Sequence, residues 1–285
     1  MAFVEQFENL GDDGLIAPEI GLWGQQKYRL VSQYSQLFSK SMRNKWDSIV
    51  YIDLFSGAGR SKIRRTNRII ASSPILALKN EHKFDRYIFC EKDPEKCDAL
   101  KCRIDREFPN IDTQIINGDS NKSVDEIISK LPPYSRNHKV LSFCFVDPFK
   151  VGNLKFKTIE KLSELYIDFL VLIPSGMDAN RNFQQYFKPQ NKIVDTFLGT
   201  GRWRDEWESL PHPKKTFEAF IVDQFNESMV GLGYINPGLE HCCPIRSDEK
   251  NLLLYRLTLY SRNELGKKFW KETQKYSDPQ LQLFE

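Results

Sequence analysis

The sequence predicts an α/β fold built on a doubly wound, mainly parallel seven-stranded sheet, with an insertion after the fifth strand. Three observations lead there. Short apolar runs alternate with helical stretches along most of the chain. The first run, Val50-Tyr51-Ile52-Asp53-Leu54, passes directly into a glycine-bearing turn, Phe55-Ser56-Gly57-Ala58-Gly59. Acids stand at or just after four consecutive strand ends, at Asp53, Glu91, Asp119 and Asp147. Strands linked by helices connect through right-handed crossovers, which gather their carboxyl ends at one edge.

At 285 residues the chain can bury a full core. We read one main domain at 25–274, between a lead-in at 1–24 and a tail at 275–285. Residues 1–20 mix acids, glycines and a proline without periodicity, as in a loosely held segment. From 25 to 46, Tyr28, Val31, Tyr34, Leu37, Phe38 and Met42 recur at helical spacing and mark one apolar face. The β-branched run that follows suits a strand buried on both faces. Its glycines permit positive φ and close approach of a ligand to the backbone.

Residues 60–71 read as a loop, and Ser72-Ser73-Pro74 opens a helix with serine as cap and proline in the first turn. Strands are expected at 87–91, 113–117, 140–146 and 167–173, joined by helices that start near 93, 122 and 157. Polar residues, aromatics and prolines at 175–214 interrupt this rhythm and read as an insertion beside the sheet's carboxyl edge. A helix at 216–230, closing strands around 233–245 and 251–260, and a helix from 263 complete the chain.

Charged residues are 28% and hydrophobic ones 40%, an ordinary globular balance, and no apolar run nears the roughly 18 residues of a membrane helix. A net charge of +3 excludes a grossly basic nucleic-acid binder but leaves room for a local basic patch. The start lacks a basic, then apolar, signal pattern. Cys90, Cys97, Cys102, Cys144, Cys242 and Cys243 form no C-x-x-C pair and have no histidine at zinc spacing, so no metal site is expected. Apolar-face thiols fit a reducing, cytoplasmic setting. His82, His138, His212 and His241 are scattered, and none is assigned a catalytic role.

The glycine pair has no third glycine at dinucleotide spacing, since Arg60, Ser61 and Lys62 follow, and the P-loop pattern is absent. Alone it reads equally as a tight strand-to-loop turn. The acids strengthen the ligand reading. A carboxylate only accepts hydrogen bonds, so one at the second strand end suits a ribose diol, and one after the third suits an adenine amino group.

Together these features resemble the Rossmann-like fold of class I S-adenosylmethionine-dependent methyltransferases, over roughly residues 25–270. The last two strands would correspond to that family's antiparallel hairpin. The resemblance implies S-adenosyl-L-methionine as cofactor. It implies Asp53, Phe55, Gly57 and Gly59 at the methionine end, Glu91 on the ribose hydroxyls and Asp119 near the adenine. NAD-type Rossmann enzymes are the alternative on fold, and the glycine spacing and the distance from Gly59 to Glu91 argue against them.

A narrower resemblance rests on Tyr51-Ile52-Asp53-Leu54-Phe55-Ser56-Gly57-Ala58-Gly59, Ser73-Pro74-Ile75-Leu76-Ala77-Leu78, Asn117-Gly118-Asp119-Ser120-Asn121 and Phe145-Val146-Asp147-Pro148-Phe149. With Asn180-Arg181 and Gly266-Lys267-Lys268-Phe269-Trp270, these segments are similar to the bacterial three-Cys-motif partner proteins, TcmP. That name refers to a neighbouring protein with three cysteines, which the resemblance implies as a partner. Two departures stand out. Lys150 replaces the glycine that commonly follows Asp-Pro-aromatic, which bears on the acceptor pocket, and Ser72 replaces one before Ser-Pro.

Asp147-Pro148-Phe149 resembles the Asp-Pro-Pro-Tyr/Phe motif of amino-group methyltransferases, with one proline in place of two. There an acid or amide and a carbonyl beside proline hold a planar NH₂, and the aromatic ring stacks on it. The alternative is an ordinary strand-end turn. Five basic residues, Arg60, Lys62, Arg64, Arg65 and Arg68, fall within nine positions and either meet phosphates or form a solvated loop. Lys150 and Arg181 join Arg60, Lys62, Arg64 and Arg65 as candidate nucleic-acid contacts. The insertion aromatics Phe183, Tyr186, Phe187, Trp203 and Trp207 either stack on bases or form a satellite core. The expected activity is methylation of an amino nitrogen on nucleic acid. The alternative is a methyltransferase-like binding module that serves a partner protein.

Overall fold

All residues of Ser48–Asp53 and Val140–Val146 are buried, as in strands covered on both faces, and the two pair in parallel at the middle of the large sheet. The computed structural model describes residues 8–210 and 216–275. Its strands are β1 (Glu19–Ile20), β2 (Ser48–Asp53), β3 (Arg60–Ile63), β4 (Ile69–Ala71), β5 (Arg86–Glu91), β6 (Thr113–Asn117), β7 (Val140–Val146), β8 (Ile167–Ile173), β9 (Cys243–Arg246) and β10 (Leu253–Tyr260). Seven of them form one sheet in the order β6-β5-β2-β7-β8-β10-β9. The first five run parallel, and β10 is antiparallel to both β8 and β9. This is a Rossmann-like, doubly wound arrangement. The order reverses between β2 and β7, which makes their carboxyl ends the switch point where open α/β sheets bind ligands.

The helices are α1 (Trp23–Met42), α2 (Ser73–Leu78), α3 (Pro94–Glu107), α4 (Val124–Ser129), α5 (Phe156–Leu162), α6 (Phe183–Tyr186), α7 (Ile193–Leu198), α8 (Trp203–Ser209), α9 (Phe217–Gly231) and α10 (Glu264–Lys275). Side chains of β2 alternate between two cores. Ile49 and Tyr51 join a cluster with α1, α2, α3 and α10, while Val50 and Ile52 join one with α4, α5 and α9. Asp93 caps α3 by accepting hydrogen bonds from Glu95 and Lys96, with Pro94 in the first turn.

Residues 60–71, expected to be a loop, form a hairpin of β3 and β4, to which β1 adds a parallel strand. Ile63, Ile69 and Ile70 are buried, so the tract is held by apolar side chains, and Arg65 and Asn67 take positive φ in its turn. The segment at 8–22, expected to be loosely held, is instead tied down. Leu10 N–H donates to the carbonyl of Ile69, and the carboxylate of Asp13 accepts from Arg103 at 2.8 and 2.7 Å. Those hydrogen bonds outweigh burial and hold the Asp13 carboxyl well below the usual carboxylate range. Of the tract 233–245, expected as a strand, pairing begins only at Cys243; Gly233 and Gly238 take positive φ before it.

The insertion after β8 contains one π turn, Ser175–Asn180, then α6, α7 and α8. Its aromatics form a satellite core rather than a stacking surface. Trp203 is fully buried, Phe183 lies 4.5 Å from Phe217, and Trp207 lies 5.1 Å from Phe220. Positions 1–7 of the lead-in, 211–214 of the insertion with His212, and the tail from 276 lie outside the described residues.

Candidate functional site

The carboxyl ends of β2, β5, β6 and β7 open on one cleft of about 1010 Å³. Glu91 ends β5 and lines it. Gly57 N–H donates to Glu91 Oε2 at 2.8 Å, and Asp93 N–H donates to Oε1 at 2.8 Å. Both oxygens are therefore fixed by backbone while each keeps room for a further donor. Gly57 has φ 64, and a Cβ there would meet nothing within 4 Å, so its backbone faces open space. Gly59, with φ 82, serves packing. A Cβ there would come 2.9 Å from Leu100 and 3.1 Å from Ile75, which seats α2 and α3 against the turn.

Phe55, Gly57, Glu91 and Asp119 line the cleft, whereas Asp53 and Gly59 lie beneath it. Burial pushes the Asp53 carboxyl up to about 7, against hydrogen bonds from Ser73 and from Phe55 N–H. Asp119 behaves oppositely: burial raises it, but hydrogen bonds from Asn121 outweigh that and leave it lowered. Asn121 in turn donates to the carbonyl of Asn153 at 2.8 Å and accepts from Lys155 N–H at 2.8 Å. It staples the turn after β6 to the loop after β7.

The other half of the cleft is built around Asp147. Lys27 of α1 reaches down to it, and Lys27 Nζ donates to Asp147 Oδ2. Lys27 is 4% exposed, and its ammonium also lies 4.6 Å from the Tyr28 ring centre and 5.4 Å from that of Trp23. Burial works to lower the lysine, but the charge of Asp147 outweighs it and holds the ammonium above its ordinary value. Sequence reasoning missed Lys27. The available signal was its place on the stripe Lys27, Val31, Tyr34 and Phe38, a charge set into an otherwise apolar helix face.

After Asp147 the chain turns sharply. Pro148 is buried, and Phe149, 58% exposed, stands at the cleft edge. Asp178, also missed, accepts from Val151 N–H at 2.7 Å and from the Tyr186 hydroxyl at 3.0 Å, pinning that turn from the insertion. Lys150 Nζ lies 6.0 Å from the Phe149 ring, and Lys150 does not line the cleft.

The basic residues separate. Arg60, expected as a phosphate contact, also lines the cleft, but it is buried in ion pairs with Asp13 at 3.3 Å and Glu107 at 2.7 Å, so its charge is already compensated. Lys62 lies on the small sheet and Arg181 on the exposed surface, neither lining the cleft. Arg64 and Arg65 do line it. Arg65 pairs with Glu249 of the β9–β10 turn at 2.7 Å, and Asp248 of the same turn accepts from Trp23 N–H at 3.0 Å. Among the described residues no group of three or more His, Cys, Asp or Glu side chains could hold a metal ion, and no helix is long and apolar enough to cross a membrane.

No family model matches the sequence, and no curated protein matches it. Solved structures do resemble it in fold. A Legionella pneumophila protein of the family model DUF519 is 12% identical over 88% of this chain and 93% of its own, with TM-score 0.46. An O-methyltransferase from Bacillus cereus in complex with SAH is 12% identical over 81% of this chain and 80% of its own, with TM-score 0.44. An S-adenosylmethionine-dependent methyltransferase from Clostridium acetobutylicum is 14% identical over 56% of this chain and 54% of its own, with TM-score 0.33.

Proposed function

We propose that the protein is an S-adenosylmethionine-dependent methyltransferase acting on an amino nitrogen of nucleic acid. The observation that carries this is the convergence of Glu91, Asp119 and Asp147 on one cleft at the switch point of the sheet. The donor set fits the cofactor. Glu91 keeps lone pairs for a ribose diol, Asp119 lies one strand further along for an adenine amino group, and the bare backbone at Gly57 leaves room between. When bound, the cofactor supplies a methyl group on a positively charged sulfur. Asp147 Oδ1 accepts no hydrogen bond among the described residues and is available to orient an N–H. Phe149 offers a ring to stack on a base, and Arg64 a charge for its phosphate.

On this reading the domain spans 25–274, the setting is cytoplasmic, and the likeness to three-Cys-motif partner proteins extends to a three-Cys-motif protein as partner. One observation favours the alternative of a binding module without catalysis: Lys27 already occupies Asp147 Oδ2. Incubation with methyl-labelled cofactor and separate fractions of DNA, RNA and protein decides between them. Label in nucleic acid supports the proposal. Cofactor binding without transfer to any fraction supports the binding module.

A further inference from the structure

We infer that Lys27 and Asp147 together read one edge of a nucleobase: Asp147 Oδ1 accepts from the exocyclic amino group, and Lys27 Nζ donates to the unprotonated ring nitrogen beside it. The inference rests on the acceptor class proposed above and adds the residue that chooses among acceptors.

A lysine ammonium carries three N–H donors and accepts nothing. Among the described residues Lys27 has one hydrogen-bond partner, Asp147 Oδ2. The ring faces of Tyr28 and Trp23 lie beside it, and the Tyr28 and Tyr255 hydroxyls are near enough to act on its charge. Those faces stabilise the charge without taking up a directed N–H. A buried donor left without an acceptor carries a desolvation cost, which a ligand acceptor would relieve. Asp147 is the mirror case, with Oδ2 taken and Oδ1 open. Both side chains line the cleft. The pair therefore displays one acceptor and one donor next to each other.

An N–H beside a bare sp² nitrogen is the complement of that display. Adenine offers it at N6 and N1, and cytosine at N4 and N3. Uracil lacks the amine. A protein lysine or arginine brings a positive charge toward Lys27 and no acceptor, so the pair disfavours it. A glutamine carboxamide has the right two atoms, but Phe149 at the edge and Arg64 at the mouth favour a planar base on a phosphate chain. The charge balance agrees. Lys27 and Asp147 sum to zero, which suits a neutral base, whereas an unpaired buried carboxylate would select a cation. Lys27 stays protonated, since Asp147 holds it above its ordinary value against burial, so it donates and takes no part as a base.

The test compares methyl transfer to single-stranded oligonucleotides carrying adenine or 1-deazaadenine, and cytosine or 3-deazacytosine, which lack only the ring nitrogen. Wild type should lose ~10- to 100-fold in kcat/KM on the deaza base it otherwise methylates, the usual discrimination from a base-edge contact. Lys27→Met should treat natural and deaza bases alike, and Lys27→Arg should keep part of the preference. SAH binding by calorimetry, expected within about tenfold of wild type for both variants, shows that the cofactor half is intact. If Lys27→Met does not fold, the wild-type comparison carries the result. Equal rates of wild type on natural and deaza bases overturn the inference and leave the methyltransferase reading standing. Transfer to a glutamine-bearing peptide in place of nucleic acid overturns it together with the acceptor class. A wild type that binds SAH and labels nothing overturns both the inference and the enzyme reading.

Discussion

Glu91 Oε2 accepts a hydrogen bond of 2.8 Å from the backbone N–H of Gly57, so the acid that ends one strand fixes the glycine turn that ends its neighbour. Glu91→Ala removes this tie as well as the carboxylate offered to a ribose. It should weaken SAH binding by about 1.5–3 kcal/mol, the usual cost of a lost hydrogen bond to a charged group. Titration calorimetry reads this directly, and an unchanged affinity would place the ligand elsewhere.

Asp147→Ala should act on transfer and spare the cofactor. SAH affinity should stay within about tenfold, or ~1.4 kcal/mol, of wild type. Methyl transfer should fall at least ~100-fold, because the group that positions the acceptor is gone. Asp147→Asn should be milder, since its amide oxygen can still accept from Lys27 or from an amine. Near wild-type turnover by the alanine variant would reduce the Asp-Pro-Phe turn to a structural element.

Nucleic-acid binding should weaken with salt, and replacing Arg64 and Arg65 by alanine should flatten the log–log slope by roughly one to two units. Arg65 already pairs with Glu249, so the larger share is expected from Arg64. Filter binding across a salt series measures the slope. An unchanged slope would move the phosphate contacts away from the hairpin.

Stability should fall as pH rises through the neutral range. Burial pushes the Asp168 carboxyl of β8 from 3.8 up to about 7, against the Ser261 hydroxyl and Arg262. Between those values the folded chain holds a proton that the unfolded chain has lost. The proton's stabilising effect is therefore present at low pH and is lost as pH climbs through about 7. Asp53 acts in the same direction. Asp168→Asn, remote from the cleft, should lose less Tm than wild type between about pH 5 and pH 8. Parallel curves for the two proteins would remove Asp168 as the cause.

The glycine turn and the acids that converge on the cleft were legible because their signals are local. An apolar run, a glycine turn and acids at strand ends each follow from a few adjacent residues. The hairpin at 60–71 was obscured because its arginines dominate the composition while Ile63, Ile69 and Ile70 do the burying. Asp13 gave no sign, since the partners that hold it, Arg60 and Arg103, are far along the chain. Lys27 was hidden for a related reason. A single lysine on an apolar stripe reads as an exception until Asp147, 120 residues away, is brought beneath it.

The contact of Trp23 N–H with Asp248, across 225 residues, bears on how the chain comes off the ribosome. The helix that carries Lys27 is made before the sheet, yet the turn that holds its first residue emerges only after six of the sheet's seven strands. Trp270 of α10, which lies 6.1 Å from Tyr34 of α1, emerges later still. Chains arranged this way close their long loops late and slowly. The cleft is therefore completed only after the β9–β10 turn has been made, because residues of that turn line it together with Lys27.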